Sequence, residues 1–309
     1  MSETYLGDVV GPLPDLFPGF DETSVLVGRA ELFVRVGGEG PPVVLLHGYP
    51  QTHACWHKVA PALAEKLTLV IPDLRGYGRS SIPPLTPDGL AYSKRAMAED
   101  VAALMAKLGH DRFMVAGHDR GGRVAYRLAL DRPELVEKIA VLDIVPTHRM
   151  WATMDAGMAL KAYHWPFFAQ PAPLPERLIG ADPVFFIDWT LASWTAAKDL
   201  SAFDERALLH YRDFFREPKR IAATLADYRA GATVDREHDQ ADLDAGRMIV
   251  APLLALWGDG GFPAKGTSPL DVWGQWAESV EGHALPCGHF LPEEAPEETA
   301  KALLEFFGR

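Results

Sequence analysis

Short apolar runs alternate with stretches of helical spacing through the first half of the chain. Residues 24–36 alternate apolar and polar positions and read as short strands. Pro42-Val43-Val44-Leu45-Leu46-His47-Gly48-Tyr49-Pro50 reads as a buried, parallel-type strand ending in a glycine turn. Residues 56–67 have helical spacing. Residues 67–72 form another apolar run, followed by a glycine-rich loop, DLRGYGRS, over 73–80. Over residues 93–108, Met97, Val101, Leu104, Met105 and Leu108 fall on one helical face. An apolar run, Phe113-Met114-Val115-Ala116, precedes a tight glycine-rich turn and a second helical pattern over 124–130. Residues 139–144 repeat the strand pattern. Strands alternating with helices predict a mostly parallel sheet covered by helices on both faces.

The alternation stops after Pro146. From 147 to 234 the pattern is helical and aromatic-rich, with no parallel strand, and Trp151, Trp165, Trp189 and Trp194 all fall within it. This segment is expected to be an inserted helical cap on a core built from residues 1–146 and 235–309. Residues 248–257 resume the strand pattern, residues 285–290 form a loop bearing His289, and Pro296–Phe307 is a final amphipathic helix. Residues 1–24, rich in Pro, Gly and acidic groups, are expected to lie over the surface.

Composition narrows the class. The chain has 309 residues, 48% hydrophobic and 23% charged, which is ordinary for a soluble globular protein. The net charge of −12 argues against nucleic-acid binding, and an anionic substrate would need local positive charge to be captured. No apolar run approaches the ~20 residues that span a bilayer, and the first residues show no basic and apolar leader pattern. Two cysteines, Cys55 and Cys287, are too few for a disulfide framework and form no C-x-x-C pair. A reduced, cytoplasmic protein without structural zinc is the expectation.

The chemistry centres on Gly117-His118-Asp119-Arg120-Gly121, a G-x-nucleophile-x-G turn between strand and helix, with Asp where many hydrolases carry Ser. The plainer alternative is a glycine-rich turn with Asp119 as helix N-cap. Asp119, Asp143 and His289 follow in the order nucleophile, acid, histidine, which is the α/β-hydrolase arrangement. An Asp nucleophile forms an alkyl ester by displacing a leaving group at saturated carbon, and His289 would activate the water that cleaves it, oriented by Asp143. A rival acid is Asp259, but the position where many relatives carry that acid, after W-G-x-x, is Gly261 here. The backbone N–H groups of Tyr49 and Arg120 are the candidate oxyanion donors. Arg120 and Arg123, one helical turn apart, place two guanidinium forks beside the nucleophile, expected at the mouth of the site. Two forks suit a carboxylate, and the alternative is a structural ion pair.

GHDRGGR, with HGYP upstream, VLDIVP after the next strand, Tyr163-His164-Trp165-Pro166 in the cap and GHF near the end, resembles the fluoroacetate (haloacetate) dehalogenases over nearly the whole chain. The resemblance implies Asp119 as nucleophile, Arg120 and Arg123 on the substrate carboxylate, Asp143 and His289 completing the triad, and His164, Trp165 and Tyr228 as halide donors. It also implies a homodimer. HGYP stands where HGFP is common, a departure that bears on substrate breadth. Trp194 is a candidate for lining the same pocket. No metal or organic cofactor is implied, since a haloacid, water and the triad suffice. Two other readings remain: an epoxide hydrolase using Tyr228 with Tyr163 or Tyr211, and a non-enzymatic ligand receptor on the same fold.

Overall fold

A computed structural model describes residues 12–261, 263 and 267–309. Among the described residues, eight strands form one sheet: β1 (Asp21–Val27), β2 (Ala30–Gly37), β3 (Pro42–Leu46), β4 (Thr68–Pro72), β5 (Phe113–His118), β6 (Val136–Leu142), β7 (Leu253–Gly258) and β8 (Val280–Leu285). Their order is β1-β2-β4-β3-β5-β6-β7-β8. The pairs β1–β2 and β2–β4 are antiparallel, and the remaining pairs are parallel. The central strands β3 and β5 are apolar because both faces are covered; every residue of β5 is buried.

The helices that flank the sheet follow the expected pattern with one exception. Helix α2 (Lys94–Lys107) is capped by the Ser93 side chain, α3 (Arg120–Asp131) follows β5, and α14 (Pro296–Phe307) closes the chain. The continuous helix expected over 56–67 is instead a 3₁₀ turn, His53–Trp56, and a short α1 (Ala60–Ala64) with Pro61 in its first turn. Proline is comfortable only there, so it starts a helix at 60 and cannot continue one from 56. Strand β7 also begins later than expected, after Pro252, which has no N–H to give a ladder.

Among the described residues, eight helices lie between β6 and β7: α4 (Thr147–Ala152), α5 (Ala156–Lys161), α6 (His164–Phe168), α7 (Leu174–Ala181), α8 (Pro183–Trp194), α9 (Glu205–Arg216), α10 (Pro218–Ala232) and α11 (Val234–Asp244). Helix α11 is tied to α3: Asp239 and Asp242 accept hydrogen bonds from the Arg127 guanidinium at 2.9 and 2.5 Å. Three short helical segments follow β7 and β8: α12 (Pro269–Trp273), α13 (Leu291–Glu294) and α14. The carboxyl ends of β3, β5, β6, β7 and β8 point toward one crevice shared with the helices between β6 and β7, where ligands bind in sheets of this kind.

Candidate active site

Asp119 sits between β5 and α3 at φ 45°, a conformation that costs a non-glycine residue roughly 1–3 kcal/mol. Close packing around it explains the neighbouring glycines. A Cβ at Gly117 would fall 2.4 Å from the Gly121 carbonyl, and one at Gly121 would fall 2.4 Å from the carbonyl oxygens of Leu46 and His47. Although Asp119 occupies the N-cap position, its side chain makes no capping hydrogen bond. Its Oδ1 instead accepts from the backbone N–H of Tyr49 at 2.8 Å. Arg120 opens the helix, so its N–H is one of those an α-helix leaves unpaired. The Tyr49 ring packs among His164, Phe168, Trp194 and Tyr228.

His289 lies in the loop after β8. Its Nδ1 is 2.6 Å from Asp143 Oδ2, and Asp143 Oδ1 accepts from the Gly258 amide at 3.0 Å. Its Nε2 is 3.9 Å from Asp119 Oδ2, beyond hydrogen-bond length, and has no hydrogen-bond partner within the described residues. The backbone of His289 is held at both ends: its N–H donates to Trp194 O at 3.0 Å and its carbonyl is 2.7 Å from His118 Nε2. Of the two candidate acids, Asp143 is the one that reaches His289. A Cβ on Gly261 would lie 2.7 Å from Asp143 Oδ1, so an acid at 261 would need the volume that Asp143 occupies. Asp259 is exposed.

Electrostatics act in opposite directions on Asp119 and His289. Burial opposes ionisation of Asp119, but His289, Arg120 and Arg123 outweigh it and hold the carboxyl at about 2. Burial likewise opposes protonation of His289, yet the hydrogen bond and charge of Asp143, with the charge of Asp119, lift it above its usual value. Part of that lift comes from Asp119 and would disappear if Asp119 became an ester. Neutralising Asp119 should therefore lower the His289 pKa. Asp119→Asn should shift the imidazole titration to lower pH by NMR, and an unchanged titration would refute the coupling.

The two arginines sit differently from each other. Arg120, expected at the mouth, is fully buried instead. The reason is a carboxylate that sequence inspection missed: Asp227 Oδ2 takes Arg120 Nε at 3.0 Å, and Asp227 Oδ1 takes Arg120 Nη2 at 2.6 Å. Arg120 Nη1 is buried without a hydrogen-bond partner among the described residues. Arg123 does line the cavity; its Nη1 donates to the Val145 carbonyl at 2.9 Å and reaches Thr147 Oγ1 at 3.1 Å, while its Nε is unpartnered. Burial and the charge of Arg120 both push Arg123 below its usual value, as expected for two guanidinium groups held close together.

His164, Trp165 and Tyr228 come together. Their ring centroids are 6.5 Å (His164–Trp165), 5.6 Å (His164–Tyr228) and 5.9 Å (Trp165–Tyr228) apart. The Arg120 guanidinium lies 4.1 Å over the Tyr228 ring, and that of Arg123 lies 4.5 Å over the Trp165 ring. Burial pushes His164 down to about 3, so its imidazole is neutral at physiological pH. His164 Nδ1 and the Tyr228 hydroxyl are buried without hydrogen-bond partners among the described residues. A cavity of 380 Å³ is lined by Asp119, Arg123, Asp143, His164, Trp165, Trp194 and His289, with Tyr163 further along its wall. Tyr228, like Arg120, is buried. Tyr211 is not near the cavity: its hydroxyl is 2.5 Å from Glu293 Oε1, which commits it elsewhere and removes it as an epoxide donor. No group of His, Cys, Asp and Glu that could hold a metal ion occurs among the described residues, and no described helix is long and apolar enough to cross a membrane.

Comparison with known proteins gives the family. The α/β hydrolase fold family model matches residues 41–296. The chain is 44% identical to a fluoroacetate dehalogenase from Burkholderia sp, covering 94% of this chain and 95% of that one. It is 35% identical to a soluble epoxide hydrolase from Corynebacterium sp. (strain C12), over 92% of this chain and 96% of that one. A solved chain from Nostoc sp PCC 7120 superposes with a TM-score of 0.91 at 50% identity, covering 93% of this chain and 98% of that one. The chain is an enzyme of the α/β-hydrolase superfamily and belongs, within it, to the fluoroacetate dehalogenase family.

Proposed function

We propose that this enzyme hydrolyses a short 2-haloacid, with fluoroacetate as the principal substrate and glycolate and halide as products. The observation that carries the reading is a ring of buried, unpartnered polar atoms around an ionised Asp119: Arg120 Nη1, Arg123 Nε, His164 Nδ1 and the Tyr228 hydroxyl. Leaving so many buried polar groups unsatisfied costs about 1–3 kcal/mol each, which an anionic substrate would recover. Arg120 and Arg123 take the carboxylate. Asp119 Oδ2, free because the Tyr49 amide holds Oδ1, displaces the halide from carbon. The halide leaves toward His164, Trp165 and Tyr228. Water activated at His289 Nε2 then attacks the Asp119 carboxyl carbon, and the amides of Tyr49 and Arg120 stabilise the oxyanion.

Fluoride is the poorer leaving group and depends most on those donors. Trp165→Phe should lower kcat for fluoroacetate by more than it lowers kcat for chloroacetate, measured by halide release. Equal losses would reduce Trp165 to packing.

Epoxide hydrolysis is the second reading, favoured by Tyr163 on the cavity wall beside His164 and by the likeness to a soluble epoxide hydrolase. Fluoride-electrode assays on fluoroacetate, with chloroacetate and styrene oxide alongside, separate the readings. Fluoride release without epoxide turnover supports the first. Epoxide turnover alone overturns it. A receptor without turnover is opposed by the complete triad.

The same reading treats residues 147–234 as a cap over a core of 1–146 and 235–309. It places a homodimer in the cytoplasm. Support comes from the two free, buried cysteines and from the exposed Leu160, Leu174, Leu178, Phe185 and Trp189 on the inserted helices. Sedimentation of the purified protein as a monomer would remove the dimer.

A further inference from the structure

We propose that Asp227, on helix α10, is a positioning residue that fixes the Arg120 guanidinium so that only Nη1 remains for the substrate carboxylate; the inference rests on the haloacid reading above. An arginine carries five N–H groups. Three of them, on Nε and Nη2, are spent on Asp227: Nε to Oδ2 at 3.0 Å, Nη2 to Oδ1 at 2.6 Å, and Nη2 to the Asp227 carbonyl at 3.0 Å. The pair on Nη1 is uncommitted.

Asp227 is itself held by other donors. Its Oδ1 also accepts from Lys94 Nζ, and its Oδ2 accepts from the Tyr77 hydroxyl at 2.9 Å. Each carboxylate oxygen thus takes two donors, which is its full capacity. All these groups are buried, and Lys94 is anchored in turn by its backbone N–H on Asp235 Oδ1 at 2.8 Å.

Helix α10 shapes the guanidinium from two other positions. Tyr228 lies beneath it at 4.1 Å, and a Cβ on Gly231 would stand 3.2 Å from Nη2. Asp227, Tyr228 and Gly231 share one turn of the helix, so a single inserted helix holds Arg120, presents the Tyr228 hydroxyl and couples the two. Arg120 comes from the core and its mould from the insertion. The carboxylate clamp is therefore complete only with α10 seated on α2 and α3. A free Arg120 would offer its whole fork and could turn; a held Arg120 offers one edge in one direction.

The test measures KM and kcat for fluoroacetate, and the inhibition constant of glycolate, in the unmodified enzyme, Asp227→Asn and Gly231→Ala. Asp227→Asn is expected to raise KM and the glycolate constant together by tenfold or more, with a smaller fall in kcat. Gly231→Ala places a methyl against Nη2 in a helix that favours alanine over glycine. It is expected to raise both constants several-fold with an unchanged or higher Tm. A structural role alone would lower Tm and the active fraction and leave both constants in place. Values within twofold of the unmodified enzyme in both variants overturn the assignment, and if Asp227→Asn does not fold, Gly231→Ala decides. Absence of halide release from fluoroacetate and chloroacetate by the unmodified enzyme overturns the haloacid reading and this inference with it.

Discussion

Asp119→Asn should abolish turnover of fluoroacetate, by at least ~10⁴-fold in kcat, while glycolate still binds. The side chain is nearly isosteric, and the Tyr49 amide can still donate to its oxygen, as it does to Asp119 Oδ1 at 2.8 Å. The strained backbone at φ 45° is equally open to asparagine, which tolerates that region better than most residues. The loss would therefore be one of nucleophilicity. No other carboxylate can take over: Asp143 is committed to the Gly258 amide and to His289, and Asp227 is enclosed by Arg120, Lys94 and Tyr77. Calorimetric titration with glycolate, beside the halide assay, checks both halves. Residual turnover above about a hundredth of the unmodified rate would remove Asp119 from the reaction.

His289→Asn should stop the reaction one step later. Asp119 loses the favourable influence of His289 in this variant but keeps Arg120 and Arg123 beside it, which favour the carboxylate, and its displacement of halide needs no base. Hydrolysis does need one, and His289 Nε2 is the nitrogen left free once Nδ1 is held by Asp143 at 2.6 Å. The expected outcome is a single burst of fluoride, one per active site, and a peptide bearing Asp119 heavier by one carboxymethyl group in mass spectrometry. Steady turnover would sink His289 as the base. Absence of both burst and adduct would mean that the displacement step itself depends on the imidazole.

Much of the fold was legible because its signals are local. The apolar runs of β3 and β5 and the glycines around Asp119 state a buried strand and a tight turn within a few residues of one another. Helix α14 carries its own stripe and begins at a proline. Strand β8, Val-Glu-Gly-His-Ala-Leu, went unread because it is an edge strand, paired on one side and largely exposed, and so carries no apolar run. Residues 248–252 looked like strand but lie outside the eight strands, with an isolated bridge from Ile249 to Ala277 that no local pattern announces.

The site divides along the same line. Asp119, Asp143 and His289 were readable from chain order and turn chemistry, and His164 with Trp165 from adjacency. Their meeting with Tyr228, and the cover of Trp194 over His289, depend on how the eight helices between β6 and β7 settle. Arg120 shows the limit most clearly. Its nearness to Asp119 is a matter of one residue, whereas its burial depends on Asp227, 107 positions away, and on Lys94, whose place at the start of α2 reads as solvent-facing.

The most direct measurement is a single turnover of fluoroacetate in ¹⁸O-labelled water, with enzyme in excess. Attack by Asp119 puts one of its own carboxylate oxygens on carbon, and water then replaces that oxygen in the protein. Glycolate from the first turnover should be unlabelled, with one ¹⁸O in the peptide containing Asp119. Label in the first glycolate, with none in that peptide, would mean that water attacks carbon directly and would contradict the covalent mechanism.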